Sequence, residues 1–328
     1  MSELDSMTLS SKKKNVHEQA AIDLSIIIPS FNSKKTIRHT LKALCEQTTQ
    51  FEYEIIVVDS SNDGSEKIIE REFPQVKLIR LRKQTYPGTG RNLGVRNARG
   101  RFVAFTDADC LPDTDWVERI IQTFSERQTE AVGGCLINGY RWSLTAWVGH
   151  LIEFNEWTET TPAGFVTNIP SANLAYQRQA FTKYDEYFPD YLGSEDTILN
   201  WQMQKKGARL YFDPKIRLVH LNRSALGKLF KHQYMLGRWS AEARRQFDLP
   251  GNFLVKHRLL VFLLPFIRWL RAFLRLASKD LPKLLIFVLV TPLYIPAAYA
   301  WSVGFVSKRK LTYSKTVNQA VTILEENE

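Results

Sequence analysis

The sequence predicts an α/β fold, a doubly wound mixed sheet followed by a basic, helical C-terminal third. Three observations carry this. Short apolar runs rich in Ile and Val alternate with helix-period segments between Leu24 and Phe105. Acidic residues stand just after several of those runs, at Asp59, Asp107 and Asp109. From Leu226 the pattern becomes helical and basic, and it closes on a 23-residue stretch without a charge, Leu284–Val306.

The elements follow in order. Leu24–Pro29 (LSIIIP) is a continuous apolar run, as expected of a strand buried on both faces of a parallel sheet. Ser33 is placed to cap a helix whose Ile37, Leu41, Leu44 and Cys45 share one face. Tyr53–Val58 reads as a second strand ending at Asp59. A helix near 66–73, a strand at 76–81, a helix across 90–98 and a strand at 101–105 come next. Ligands of such sheets bind beyond the carboxyl ends of the strands, so the residues just after each strand are the candidates. Past Asp109 the pattern is less regular. It predicts helices over 114–126 and 197–206, strands near 131–136 and 174–176, and two short strands at 210–212 and 217–219. The chain therefore divides into a flexible lead (1–22), an α/β domain (23–225), a basic helical segment (226–257), apolar helices (258–306) and a polar tail (307–328).

The net charge is +10, from 44 basic and 34 acidic side chains, which suits an anionic partner. Much of the excess lies between Arg80 and Arg101 and in the C-terminal third. No nucleic-acid recognition motif or interleaved aromatic–basic stripe accompanies it, so nucleic acid is not the expected partner. Three dispersed cysteines, Cys45, Cys110 and Cys135, argue against a disulfide framework and fit a reducing compartment. The first twenty residues are polar, unlike a secretory signal, so a cytosolic start is expected.

Taken alone, Asp59–Ser65 could be only a turn. Asp107-Ala-Asp109 places two carboxylates one residue apart at a strand end, suited to a hard divalent cation and a hydroxyl-rich ligand. A lone Asp-x-Asp is common by chance. The weight lies in several strand ends delivering acids to the same edge.

Ordered along the chain, Ser25-Ile-Ile-Ile-Pro-Ser-Phe-Asn32, Glu54–Asp59 with Asp63-Gly-Ser65, Gly90-Arg-Asn-Leu-Gly94 with Ala98-Arg-Gly100, Phe105-Thr-Asp-Ala-Asp109, Ser171–Tyr176, Gly193-Ser-Glu-Asp196 and Val219-His220 resemble the family 2 glycosyltransferases. The resemblance covers residues 23–222 and implies the GT-A fold, a Rossmann-like nucleotide-binding half joined to an acceptor-binding half. It implies that Pro29, Ser30, Phe31 and Asn32 line the nucleotide pocket, that Asp59 contacts base or ribose, and that Arg91 and Asn92 sit near the donor diphosphate. Asp107 would reach the ribose or the metal, and Asp109 would ligate Mg²⁺ or Mn²⁺, with His220 completing the metal shell. Asp196 would be the general base for an acceptor hydroxyl, with Ser171, Asn173 and Glu195 on the acceptor side. Ser60 stands where many members carry a second acid. Gln202-Met-Gln-Lys-Lys206 lacks the Gln-x-x-Arg-Trp signature of processive synthases, so transfer of a single sugar is expected, from a nucleoside-diphosphate sugar such as a UDP-sugar.

Arg268, Arg271 and Arg275 share one face of a largely apolar helix, a pattern that prefers an anionic membrane surface. Leu284–Val306 is long enough to span a bilayer, kinked at Pro292 and Pro296. A buried helical pair would carry the same pattern. The expectation is a membrane-associated enzyme of the inner face, glycosylating a hydroxyl of a lipid-linked or polysaccharide-precursor acceptor. Two alternatives are transfer to a polyprenyl phosphate, and a non-catalytic membrane-bound carbohydrate-binding or scaffold protein.

Overall fold

The computed structural model describes residues 22–307, so the expected lead and tail lie outside the described residues. The first half runs β1 (Leu24–Ser30), α1 (Ile37–Cys45), β2 (Tyr53–Asp59), α2 (Ser65–Glu72), β3 (Lys77–Arg80), α3 (Pro87–Asn97) and β4 (Phe102–Phe105). Then come β5 (Cys110–Pro112), α4 (Trp116–Glu126), β6 (Ala131–Asn138), α5 (Leu144–Phe154), β7 (Gly164–Val166) and β8 (Leu174–Gln177). The chain continues through α6 (Gln179–Tyr184), α7 (Glu195–Lys205), β9 (Leu210–His220), α8 (Leu226–Gln246), α9 (Phe253–Lys256), α10 (Leu264–Lys279) and α11 (Leu281–Val306).

The nine strands form one mixed sheet in the order β3-β2-β1-β4-β8-β6-β9-β5, with β7 also on β9. The first four strands are parallel; β8 joins β4 and β6 antiparallel. β1 shows why it is central. Leu24, Ile26 and Ile28 pack with α1, α2 and α4 on one face, while Ile27 packs with α3, α6 and α7 on the other. Full burial of each such side chain contributes roughly 1.5–3 kcal/mol. The left side of the sheet is thus the doubly wound half that the apolar runs predict.

Two local outcomes differ from expectation. α1 starts at Ile37 with no side-chain cap: Ser33 accepts the Thr36 and Ile37 amides through its carbonyl, while its hydroxyl pairs with that of Ser30. The two short strands expected at 210–219 are one strand, β9, because β7 pairs with its first part and β5 with its last. Asp213-Pro214-Lys215 interrupts the apolar pattern there, and β6 takes up the irregularity by a register shift between Gly133 and Cys135.

α11 carries Pro292 and Pro296 inside the helix but does not stand free. Its Phe287, Val290, Tyr294 and Ala297 pack with α5, α8 and α10. Gly237 and Gly304 allow close contact between α8 and α11. A Cβ on either would lie 2.0 Å from a carbonyl oxygen of the other helix, Trp301 O or Tyr234 O.

Candidate active site

A cavity of about 730 Å³ opens beyond the carboxyl ends of β1 and β4, within the size range of small-molecule sites. Its floor is built by α3 and the turn after β4. Gly94 presses α3 onto β1, since a Cβ there would meet Ile27 Cγ2 at 2.3 Å. That contact sinks Arg91, one turn earlier, until it is 2% exposed. Its Nη2 donates to Asp107 and its Nη1 to Glu195, both at 2.7 Å. One rigid guanidinium thus ties the end of β4 to the start of α7.

β5 and β9 set the second pair. Cys110 lies opposite His220, which brings Asp109 beside the imidazole: Nε2 is 3.6 Å from Asp109 Oδ1. Asn222 donates from Nδ2 to Asn138 Oδ1 and to His220 O, leaving its Oδ1 to accept from His220 Nδ1 at 3.0 Å. This network assigns the proton to Nδ1 and turns the Nε2 lone pair toward the carboxylate. Two acceptors facing each other without a proton between them fit a cation. Asp107, Asp109, Cys110 and His220 offer ligand atoms within 4.8 Å of one another. Burial, reinforced by the charge of Asp107, raises Asp109 despite His220 and Arg223, a strain that a cation relieves. Burial pushes the Cys110 thiol well above its ordinary range, which leaves oxygen and imidazole as the donor set. Asp107, Asp109 and His220 therefore suit Mg²⁺ or Mn²⁺.

Asp196 lines the same cavity in the first turn of α7. Its Oδ2 accepts the Ser171 amide at 3.0 Å, and its Oδ1 accepts the Thr197 amide at 2.7 Å. The carboxylate is thus held by two backbone donors at a helix N-terminus. Beside it, burial and the Asp196 charge push Glu195 up to about 7 against the pull of Arg91. Ser194, just before the helix, holds a left-handed φ of 71°, and Asn32 across the cavity one of 52°. A non-glycine residue in that region costs about 1 kcal/mol or more, and such strain gathers at functional sites.

Of the residues expected at the site, Pro29, Phe31, Asn32, Arg91, Asp107, Asp109, Ser171, Glu195, Asp196 and His220 line the cavity. Four are placed differently. Asn173 is wholly buried; it donates to Cys135 O and Ile216 O and accepts from Trp116 Nε1, bracing the sheet rather than an acceptor. Asn92 clasps both backbone groups of Phe188 and does not line the cavity. Asp59 is 1% exposed, its carboxylate held by the Ser61 hydroxyl and amide. Ser30 is buried against Ser33. Arg91 lines the space, but two carboxylates already take its charge.

The roof comes from a segment for which the sequence pattern indicates no site. Lys228, Lys231, His232, Met235 and Leu236 of α8 line the cavity, and Arg223 precedes them. Their i, i+3, i+4, i+7 spacing marks one helix face, a signal present in the basic segment but assigned no site. Glu153 on α5 likewise comes from a segment assigned no site. It accepts from Gln233 at 2.8 Å and lies 3.3 Å from His232. Burial opposes its charge, but His232, Arg223 and His220 bring Glu153 down to about 2.

Known proteins carry the same pattern. Residues 25–184 match the family described as Glycosyl transferase family 2. Glycosyltransferase AglE of Haloferax volcanii is 27% identical over 227 residues, covering 66% of this chain and 72% of its own. A dolichyl N-acetyl-α-D-glucosaminyl phosphate 3-β-D-2,3-diacetamido-2,3-dideoxy-β-D-glucuronosyltransferase of Methanococcus voltae is 27% identical over 234 residues, covering 65% of this chain and 71% of its own. Among solved structures, mannosyltransferase PcManGT from Pyrobaculum calidifontis, in complex with GDP-Man and Mn²⁺, superposes with a TM-score of 0.56 over 88% of both chains at 19% identity, a likeness of fold. The GT-A architecture, the ordered motifs and these matches agree: residues 25–184 carry a glycosyl transferase family 2 domain, and the chain is similar to enzymes of that family.

Proposed function

We propose that the enzyme moves one sugar, with inversion, from a nucleoside-diphosphate sugar to a hydroxyl of a lipid-linked glycan at the inner face of a membrane. The observation that carries this reading is the pairing, in one cavity, of an Asp107–Asp109–His220 cluster with a carboxylate aimed by backbone donors, Asp196. A Mg²⁺ or Mn²⁺ ion held by the cluster would neutralise charge on the leaving nucleoside diphosphate. Lys228, Lys231 and Arg223, overhead, suit the same anion. Asp196 takes the acceptor's proton as the acceptor oxygen bonds to the anomeric carbon. The bond from that carbon to the diphosphate oxygen breaks, and its electron pair leaves with the nucleotide. Displacement from the opposite face inverts the anomeric centre.

Asp196→Asn tests the chemistry. Turnover on a hydroxyl acceptor should fall about 10²-fold or more, with donor affinity little changed. A near-normal rate would remove Asp196 from the role of base. A polyprenyl phosphate acceptor arrives ionised and needs no base, so a variant active only on that acceptor would establish the alternative reaction. A UDP-sugar is the donor expected, and a GDP-sugar, as bound by the Pyrobaculum enzyme, is the other arm of the donor panel.

For the membrane, thirteen of the twenty-one exposed large apolar side chains among the described residues lie between Phe253 and Val303, a concentration that favours a bilayer surface. α11 alone, among the described residues, is long and apolar enough to cross a bilayer. Yet one side of it is packed on α8, whose Lys228 and Lys231 line the cavity. A transverse span would draw that charged helix toward hydrocarbon, at roughly 2.5–3.5 kcal/mol per central charge. We place α10 and α11 flat in the interface instead, a reading that replaces the expected span. Probes at positions 285 and 303 sit about 27 Å apart along α11. In-plane binding puts both at one shallow depth in quenching by labelled lipids; opposite leaflets would restore the span. Recovery of the full chain as soluble at low and high salt alike would sink both arrangements.

A further inference from the structure

A second cavity, of about 300 Å³, lies where α5, α8, α10 and α11 meet. Arg268, Arg271 and Arg275 enter it from α10, with Trp157, Tyr294 and Trp301 among its walls. Resting on the glycosyl transfer proposed above, we infer that this cavity binds the phosphate or diphosphate that joins a saccharide acceptor to its prenyl chain.

Charge comes first. Arg275 is paired with Asn155 and with Glu156, the latter at 2.9 Å. Arg268 and Arg271 have no carboxylate within ion-pairing distance among the described residues. Arg268 lies over the Trp301 ring, with Cζ 4.1 Å from the centroid. Burial depresses its guanidinium, and Tyr294 and Glu156 compensate only in part. Burial and the Arg268 charge also bring neighbouring Arg244 down to about 10. A half-buried Arg268 beside an exposed Arg271, both short of counter-charge, attracts an anion, and guanidinium forks match phosphate oxygens. A further group awaits a partner: Gln233 lines the cavity, is fully buried, and its Oε1 accepts no hydrogen bond, while its Nε2 holds Glu153. That oxygen suits a protonated phosphate or a sugar hydroxyl.

Position is the second argument. Glu153 and Leu236 line both this cavity and the catalytic one, so a group held here sits next door to Asp196's space. On α10, Phe266, Ile267, Leu270 and Leu274 are exposed; Phe266 and Leu270 lie across the helix from Arg268, and Ile267 and Leu274 flank Arg271. Prenyl chain, phosphate and sugar would therefore meet apolar face, arginine cavity and catalytic cavity in that order.

The test uses the full-length chain and the variants Arg271→Gln and Arg268→Gln/Arg271→Gln, leaving Arg275 in place for its structural bonds. Probes are farnesyl diphosphate, inorganic pyrophosphate and phosphatidylglycerol vesicles, alongside a nucleoside diphosphate with Mn²⁺. Farnesyl diphosphate should bind the wild type and bind the double variant at least tenfold more weakly, with Arg271→Gln between them. Nucleotide affinity and the melting temperature should hold, which separates lost recognition from lost fold. KM for a prenyl-diphosphate-linked acceptor should rise by a similar factor, and KM for the same saccharide on an uncharged alkyl aglycone should not. Equal farnesyl diphosphate binding by wild type and variants overturns the inference. So does a loss confined to vesicle binding, which would assign the arginines to bulk lipid, or a loss produced only by Asp109→Asn, which would place the probe in the donor site. Failure of the wild type to bind any nucleotide would strike the glycosyl-transfer reading instead.

Discussion

Asn222 is not itself a candidate ligand, yet its side chain controls the Nε2 lone pair of His220. Replacing it with Ala removes three hydrogen bonds: to His220 Nδ1 at 3.0 Å, to Asn138 Oδ1 at 3.1 Å and to His220 O at 3.2 Å. The last two belong to folding and are worth about 1 kcal/mol each. The first belongs to the cation, because without it the imidazole is free to change tautomer and to rotate. Loss of such a support lowers metal affinity about 10–100-fold, or roughly 1.4–2.7 kcal/mol. The assay is donor hydrolysis at saturating donor over a Mn²⁺ titration. Asn222→Ala should raise the half-activating Mn²⁺ concentration by that factor and regain most of its plateau in excess Mn²⁺. His220→Ala should raise it further. An unchanged Mn²⁺ midpoint in both folded variants would show that His220 only packs against Phe154, 5.2 Å away between ring centroids.

Two further outcomes rest on buried charge. Arg91→Met removes the cation shared by Asp107 and Glu195 and should lower stability by about 3 kcal/mol in denaturant titration. No change would mean that water already serves those carboxylates. His150 is wholly buried on α5 with neither ring nitrogen hydrogen-bonded, and burial, with His220 and Lys283 adding to it, pushes it down to about 3. A depressed histidine contributes stability above its unfolded pKa of about 6.5 and loses it as pH falls toward 3. By pH 5 the loss reaches about 2 kcal/mol, so His150→Phe should flatten the stability profile between pH 7 and 5; an unaltered slope would assign acid sensitivity elsewhere.

What the sequence shows of this fold is what local patterns can carry. The apolar run of β1 and the acids after β2 and β4 are readable because strand burial and strand ends leave short-range signatures. β5 is three residues long and exists only as a partner of β9, so no local pattern announces it. α5 is buried on several sides, and its Leu144–Phe154 segment lacks the polar stripe that marks a surface helix. Asn173 and Asn92 show the limit at the site itself. Each stands inside a stretch that matches the family, and each bonds backbone groups of its own surroundings. Motif membership reports that a position is constrained. It does not distinguish a side chain that holds substrate from one that holds the loop.

The same distinction moves the domain boundary. A break after residue 225 follows the change from strands to basic helix, and α8 beyond it packs against α7 and lines the candidate cavity. Its Lys228–Leu236 face roofs the cavity. Farther along, Trp239 and Ala243 pack with Tyr191 and Ile198, around the first turns of α7 that present Glu195 and Asp196. Its Gly237 meets α11 at backbone contact distance. One helix thus touches the turn that presents Asp196, the basic roof of the cavity and the apolar layer. Cutting the chain before Arg258 would strip α8 of its α11 and α10 contacts and leave Leu229 and Trp239's helix with an uncovered apolar flank. The apolar helices are therefore part of what holds the candidate cavity in shape, and their exposed apolar surface is built on the back of that site.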